Sequence, residues 1–227
     1  MAIIADALKK VHERIHAAAL ATGHSSRNIR LLAVSKTKPA SMVREAYAAG
    51  QRAFGENYLQ DALPKMEELS DLDIEWHFIG RIQSNKTRDI AARFAWIHGL
   101  DKAKHAHRLN EQRPPELAPL NCCIQVNLSG EKSKGGVTPD DLPVLAREVA
   151  ELPRLKLRGL MTMPDPSSTR EQQRIVFEQL AQLRDELNAS GMSLDTLSMG
   201  MSGDLEMAVA AGSDMVRIGT DIFGARA

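Results

Sequence analysis

The chain has 227 residues, 43% of them apolar, with 29 Lys+Arg balanced by 29 Asp+Glu. That length suits one large domain, since α/β barrels commonly run to about 200–250 residues, and the apolar content excludes a disordered chain. Zero formal net charge argues against a nucleic-acid binder, which needs clustered excess Lys/Arg. No window reaches the ~18 apolar residues of a membrane span.

Lys9, Lys10, Glu13 and Arg14 interleave with apolar residues near the N-terminus, which is not the layout of a signal peptide. The two cysteines, Cys122 and Cys123, are neighbours; on a strand they point to opposite faces and cannot bridge each other. No Cys/His cluster has metal-ligand spacing. A reduced, cytoplasmic protein without a bound metal is expected.

Ile4, Leu8, Val11 and Ile15 make one stripe of an amphipathic helix over about 3–21. Ile29–Ser35 has the length of a strand, with Leu32, Val34 and Lys36 on one face. Pro39 and Ser41 open a helix closed by Gly50. Arg52–Phe54 is a second strand, and the helix after it carries Leu59, Leu63, Met66 and Leu69, with a break or kink expected at Pro64. Glu75–Ile79 reads as strand three, Asn85–Phe94 as a helix, Trp96–His98 as strand four and Asp101–Gln112 as a helix stopped by Pro114 and Pro115. Cys122–Leu128 is strand five, and Thr138 followed by Pro139 predicts a helix start with Thr138 as cap. Leu155–Met163 is strand six. Ser168 and Glu171 have capping-box spacing ahead of a helix with Val176, Leu180, Leu183 and Leu187. Thr196–Met199, a short helix Asp204–Ala211 and strand eight, Met215–Ile218, complete the alternation. Eight short strands alternating with helices predict a closed (β/α)₈ TIM barrel over 1–227, the rival being an open doubly wound sheet.

Lys36 ends the first strand on the inward face. A buried ammonium is costly, so such a lysine has a depressed pKa and becomes nucleophilic toward carbonyls. The alternative is a strand-end lysine reaching solvent, the reading preferred for Lys38. Ser198–Asp204 after strand seven and Ile218–Thr220 after strand eight combine small residues with hydroxyls. In a barrel these loops commonly take phosphate, helped by a helix start at Ser202 and Gly203; the alternative is ordinary turn chemistry. Strand eight lies beside strand one in a closed barrel, so phosphate there would lie near Lys36. An amine beside a phosphate cradle is the pair that holds pyridoxal 5′-phosphate (PLP).

The blocks Leu32–Lys36, Phe54–Asn57, His77–Gln83 with Asn85 and Lys86, and Ser198–Ser202 with Val216–Thr220 and Ile222–Gly224 resemble the pyridoxal phosphate homeostasis protein (YggS/PROSC) family, in one order from about Arg30 onward. The resemblance implies a barrel similar to the N-terminal domain of alanine racemase, the fold type III of PLP proteins. It implies Lys36 as the Schiff-base lysine, Ser202, Gly219 and Thr220 as the phosphate cradle, Asn57 near the ring and Arg217 facing the pyridine nitrogen. Arg217 alternates with Val216 and Ile218, so it lies on the other face of its strand. A guanidinium only donates, which keeps a ring nitrogen unprotonated; the alternative is a salt bridge to Asp214 or Asp221.

His77 and His98 read as hydrogen-bonded strand residues. Gly130–Gly136 lacks the glycines of a nucleotide-binding loop, and Arg81, Lys86 and Arg88 read as a solvated helix start. Alanine racemases use a tyrosine from an additional domain as second base. The present sequence ends at Ala227, shortly after strand eight, and has two tyrosines. Tyr47 reads as packing, whereas Tyr58 lies near the expected ring position. The expectation is a monomeric carrier or buffer of PLP without catalytic turnover, with PLP-dependent apo-enzymes as acceptors. The alternatives are a weak PLP-dependent racemase or lyase, and a barrel acting on another phosphorylated metabolite.

Overall fold

The computed structural model describes residues 2–23, 28–130 and 135–225. Eight parallel strands close into a barrel in chain order: β1 (Arg30–Val34), β2 (Ala53–Glu56), β3 (Glu75–Phe78), β4 (Trp96–Leu100), β5 (Leu120–Gln125), β6 (Leu155–Met161), β7 (Thr196–Ser198) and β8 (Met215–Ile218). The ladder from Arg30↔Met215 to Ala33↔Ile218 joins β8 to β1, which excludes the open sheet. Helix α1 (Ala2–Ala21) precedes β1. The connections carry α2 (Ala40–Ala48), α3 (Leu59–Glu68), α4 (Thr87–Arg93), α5 (Ala103–Gln112), α6 (Leu142–Ala150), α7 (Arg170–Ala189) and α8 (Leu205–Ala210), and α9 (Thr220–Phe223) follows β8.

The strands are short and apolar because both of their faces are covered. Outward residues such as Leu31, Ala33, Phe54, Cys122 and Val216 join one large cluster with the helix faces, which includes Ile4, Leu8, Val11 and Ile15 of α1. Inward residues Leu32, Ala53, Trp96, Cys123, Met161 and Met215 form a separate cluster inside the barrel. Cys122 and Cys123 thus face opposite sides, and both are buried free thiols. Burial pushes both thiols up, Cys123 to about 12.

Several local readings shift. The helix α3 runs through Pro64 without a break; the lost bond falls at the carbonyl of Gln60, which is exposed. The capping box lies one residue later than read, on Thr169 and Gln172, because Ser168 Oγ is engaged by the Asp165 carbonyl at 2.6 Å. Thr138 caps a preceding turn through the Asp141 amide at 3.2 Å, and the regular helix starts only at Leu142. The segment read as helix from Asn85 opens with a 3₁₀ turn, Ser84–Lys86. Arg81 and Arg88 are exposed and Lys86 half-buried. Glu131–Lys134, inside the rejected nucleotide loop, lie outside the described residues. Among the described residues no helix is long and apolar enough to cross a membrane, and no group of three His, Cys, Asp or Glu is placed to hold a metal.

Candidate functional site

The C-terminal ends of the strands surround a cavity of about 510 Å³, and Lys36, Asn57, Ser202, Arg217, Gly219 and Thr220 all line it. Lys36 follows β1 in register with inward Leu32 and with Val34, which also lines the cavity. Thr37, next in the chain, has φ +62°. A β-branched residue in the left-handed region costs about 1–3 kcal/mol, so the turn that presents Lys36 is held in shape by its surroundings. Lys38 donates from Nζ to the Ala225 carbonyl at 2.7 Å.

Behind Lys36 sits a buried ionic knot that sequence reasoning missed. Glu56 Oε1 accepts from Lys65 Nζ at 2.5 Å and from Ser35 Oγ at 2.6 Å, while Lys65 also donates to the Ser35 carbonyl at 2.9 Å. Glu56 is fully buried and Lys65 nearly so. Burial raises the Glu56 pKa, and the Lys65 ammonium pulls against that rise. The knot ties α3 to the ends of β1 and β2, one residue before Lys36 and one before Asn57. Lys65 lay on a helix amid ordinary surface charges in the sequence, and only the fold turns it inward.

Asn57 is held from the other side by Gly80, where a Cβ would stand 2.0 Å from the Asn57 carbonyl oxygen. Asn57 Oδ1 is buried without a hydrogen-bond partner, and an orphaned amide in a cavity wall is a natural ligand contact. Gly219 is crowded but less strictly so, since a Cβ there would meet the Val34 carbonyl oxygen at 3.1 Å. The helix expected at Ser202 and Gly203 is the six-residue α8, preceded by a turn in which the Met201 amide donates to Asp204 Oδ1 at 2.5 Å. Loop amides and hydroxyls, rather than a long helix dipole, therefore define this wall.

Arg217 makes neither of the salt bridges weighed for it. Its Nη1 donates to the Ser198 carbonyl at 2.6 Å and to Ser198 Oγ at 2.7 Å, and Nη2 donates to the Thr162 carbonyl at 3.0 Å. Among the described residues its Nε makes no hydrogen bond. Burial lowers its pKa to about 10, so it remains a cation at neutral pH.

From Ser198 a hydrogen-bonded chain runs through the barrel interior. Ser198 Oγ lies 2.7 Å from His98 Nδ1, His98 Nε2 lies 2.9 Å from His77 Nδ1, and His77 Nε2 lies 2.7 Å from Glu75 Oε1. Burial depresses both histidine pKa values, so both rings are neutral and each has one N–H. The Glu75 carboxylate can only accept, hence His77 donates from Nε2, His98 donates from Nε2 to His77, and Ser198 donates to His98. Every proton in the chain points from Arg217 toward Glu75. The expectation of two hydrogen-bonded strand histidines holds, but their partners are separated by up to 100 residues in sequence.

Burial opposes ionisation of Glu75, yet the bond from His77 and the Arg30 charge overcome it and hold the carboxyl at about 2. A depressed carboxylate contributes stability that is complete above the unfolded pKa near 4.5 and is lost as pH falls toward 2. Glu75 is partly exposed, so solvent screening reduces the effect to about 1–2 kcal/mol. Urea midpoints of the Glu75→Gln variant are therefore expected to fall less than those of the wild type between pH 6 and pH 3; parallel curves would show that Glu75 is not coupled to folding.

Tyr58 lines the same cavity and is 54% exposed. Tyr47 packs under the Arg52 guanidinium, 3.9 Å from the ring centroid, as expected of a packing residue.

The closed parallel barrel with its site at the C-terminal strand ends is of a defined class: residues 8–227 match the alanine racemase N-terminal domain family. Within that class the relatives are more particular. The pyridoxal phosphate homeostasis protein of Pseudomonas aeruginosa is 58% identical, over 100% of this chain and 97% of that protein, and that of Escherichia coli K12 is 53% identical, over 98% and 97%. PipY of Synechococcus elongatus PCC7942, a structure with PLP bound, is 37% identical with a TM-score of 0.87, covering 97% of this chain and 100% of that one. The chain belongs to the pyridoxal phosphate homeostasis protein family.

Proposed function

We propose that this protein binds PLP as a Schiff base on Lys36 and serves intracellular PLP homeostasis as a carrier or buffer, using the whole barrel as one cofactor-holding unit. The observation that carries this is the convergence, in one cavity, of Lys36, the orphaned Asn57 amide, two small-residue loops and a donor-only Arg217. The residues fit the group: a primary amine for the aldehyde, amides and hydroxyls at Ser202, Gly219 and Thr220 for the phosphate, and the buried guanidinium for the ring nitrogen. Likeness to PipY, whose structure has PLP bound, supports the same reading.

PLP supplies an electrophilic aldehyde and, when its ring nitrogen is protonated, a strong electron sink. Arg217 has no acceptor and offers no proton at neutral pH, so it favours the unprotonated ring and disfavours carbanion chemistry. This supports holding over turnover. The exposed Tyr58 and Met163 at the cavity rim leave the cavity accessible to an acceptor apo-enzyme, and the protein is proposed to act as a monomer in the cytoplasm.

Titration of the purified protein with PLP should give a visible absorbance band, and borohydride reduction should fix the group on Lys36 in the peptide map. A folded protein with neither band nor adduct would refute PLP binding and favour a barrel for another phosphorylated metabolite. With PLP loaded, α-proton exchange of amino acids in D₂O is expected to stay at the level of free PLP. Faster exchange, lost in Lys36→Ala, would make the protein a weak racemase or lyase.

A further inference from the structure

Helix α1 precedes the first strand, and its apolar stripe packs it against α8 and α9. From the same helix Arg14 reaches the Ser202 loop itself and the first residues of α8 and α9, the two helices that follow the loops assigned above to phosphate. Its Nε and Nη2 donate to Glu206 at 2.8 and 3.0 Å, Nη1 donates to Asp221 at 2.5 Å, and Nη2 also donates to the Ser202 carbonyl at 3.1 Å. Glu206 lies in the first turn of α8, directly after the Ser202 loop, and Asp221 directly follows Thr220. One planar guanidinium, which is not itself part of the cavity lining, thus joins the Ser202 loop and the start of α8 to the start of α9.

We infer that Arg14 is a positioning residue for phosphate recognition: by fixing the spacing of the two loops it makes the protein select the phosphorylated form of the vitamin over pyridoxal. The inference rests on the PLP reading above and deepens it. An isolated surface ion pair contributes little, but here a bidentate Glu206 contact, a second carboxylate and a loop carbonyl share one rigid group, so losing it frees two loops at once. Lysine carries its three donors on one nitrogen and cannot reproduce the bidentate grip on Glu206 while also reaching Asp221 and the Ser202 carbonyl. The apolar stripe holds α1 in place without Arg14, so fold and function separate in the variant.

The test compares dissociation constants for PLP and for pyridoxal, read from absorbance titrations, in wild type, Arg14→Ala, Arg14→Lys and the double variant Glu206→Gln/Asp221→Asn. Arg14→Ala is expected to weaken PLP about tenfold and to leave pyridoxal unchanged, with Lys36 still fixed by borohydride. Arg14→Lys is expected to recover only part of the loss. Should Arg14→Ala fail to fold, the double variant neutralises both carboxylate partners of Arg14, turning charge-assisted bonds into weaker neutral ones, and is expected to show a smaller selective loss of PLP in the same direction. Equal weakening of both ligands, or of neither, would overturn the inference while leaving PLP binding intact. A wild type with no preference for PLP and no Lys36 adduct would instead overturn the underlying reading.

Discussion

The Lys36→Ala variant is expected to lose the visible band and the borohydride-fixed adduct completely, whereas PLP affinity should fall by only about a hundredfold because the phosphate and ring contacts remain. The contrast follows from the division of labour in the cavity. In the proposed site Lys36 supplies the bond-forming amine, and Asn57, Arg217 and the two loops supply orientation. Lys38 is two residues away and is the natural rival amine. Its Nζ is engaged by the Ala225 carbonyl, and the turn at Thr37 separates the two lysines by a residue with positive φ. Peptide mapping of the reduced variant decides the matter: label shifting to Lys38 would show that the site tolerates either amine and that the Thr37 turn does not select between them.

Glu56→Ala should be the most destabilising single change near the site. It strands the Lys65 ammonium, which is 7% exposed, and breaking a buried pair by removing one partner costs about 3–5 kcal/mol. For a chain of this length that lowers Tm by roughly 10 °C. Replacing both partners, as in Glu56→Leu/Lys65→Met, should recover much of the loss, because no charge is then left without compensation. Thermal melts of the three proteins measure this directly. A single variant melting within about 2 °C of wild type would mean that Lys65 escapes to solvent and that the knot is no anchor. Ser35 and Glu56 adjoin Lys36 and Asn57, so the single variant should also form the borohydride adduct more slowly than the double variant.

The barrel was legible because its signals are local. Alternating strand and helix periods, Gly and Pro punctuation, and the in-register set Leu32, Val34 and Lys36 all lie within a few residues of each other. Arg217 was legible for the same reason, its alternation with Val216 and Ile218 placing it on the face opposite theirs, which the barrel turns inward. What the sequence concealed is long-range. Nothing in the neighbourhood of Lys65 announces a partner nine residues back, and nothing near His98 announces Ser198, a hundred residues on. The shift of the capping box from Ser168 to Thr169 is a smaller case: both residues satisfy the pattern, and the competing Asp165 carbonyl decides between them. The helix start expected at Ser202 and Gly203 falls at Leu205, after a turn in which the Met201 amide donates to Asp204 Oδ1, a contact that composition does not reveal.

The two thiols have a consequence for any cargo that is an aldehyde. Thiolates compete with amines for aldehydes, and a protein that stores one must keep its own sulfur from becoming a sink. Cys122 faces the helix layer and Cys123 the barrel interior, both fully buried, and with Cys123 held at about 12 the sulfur stays protonated and unreactive at cellular pH. On the proposed reading, burial of both thiols thereby leaves an aldehyde in the cavity to the amines that line it, Lys36 and Lys38.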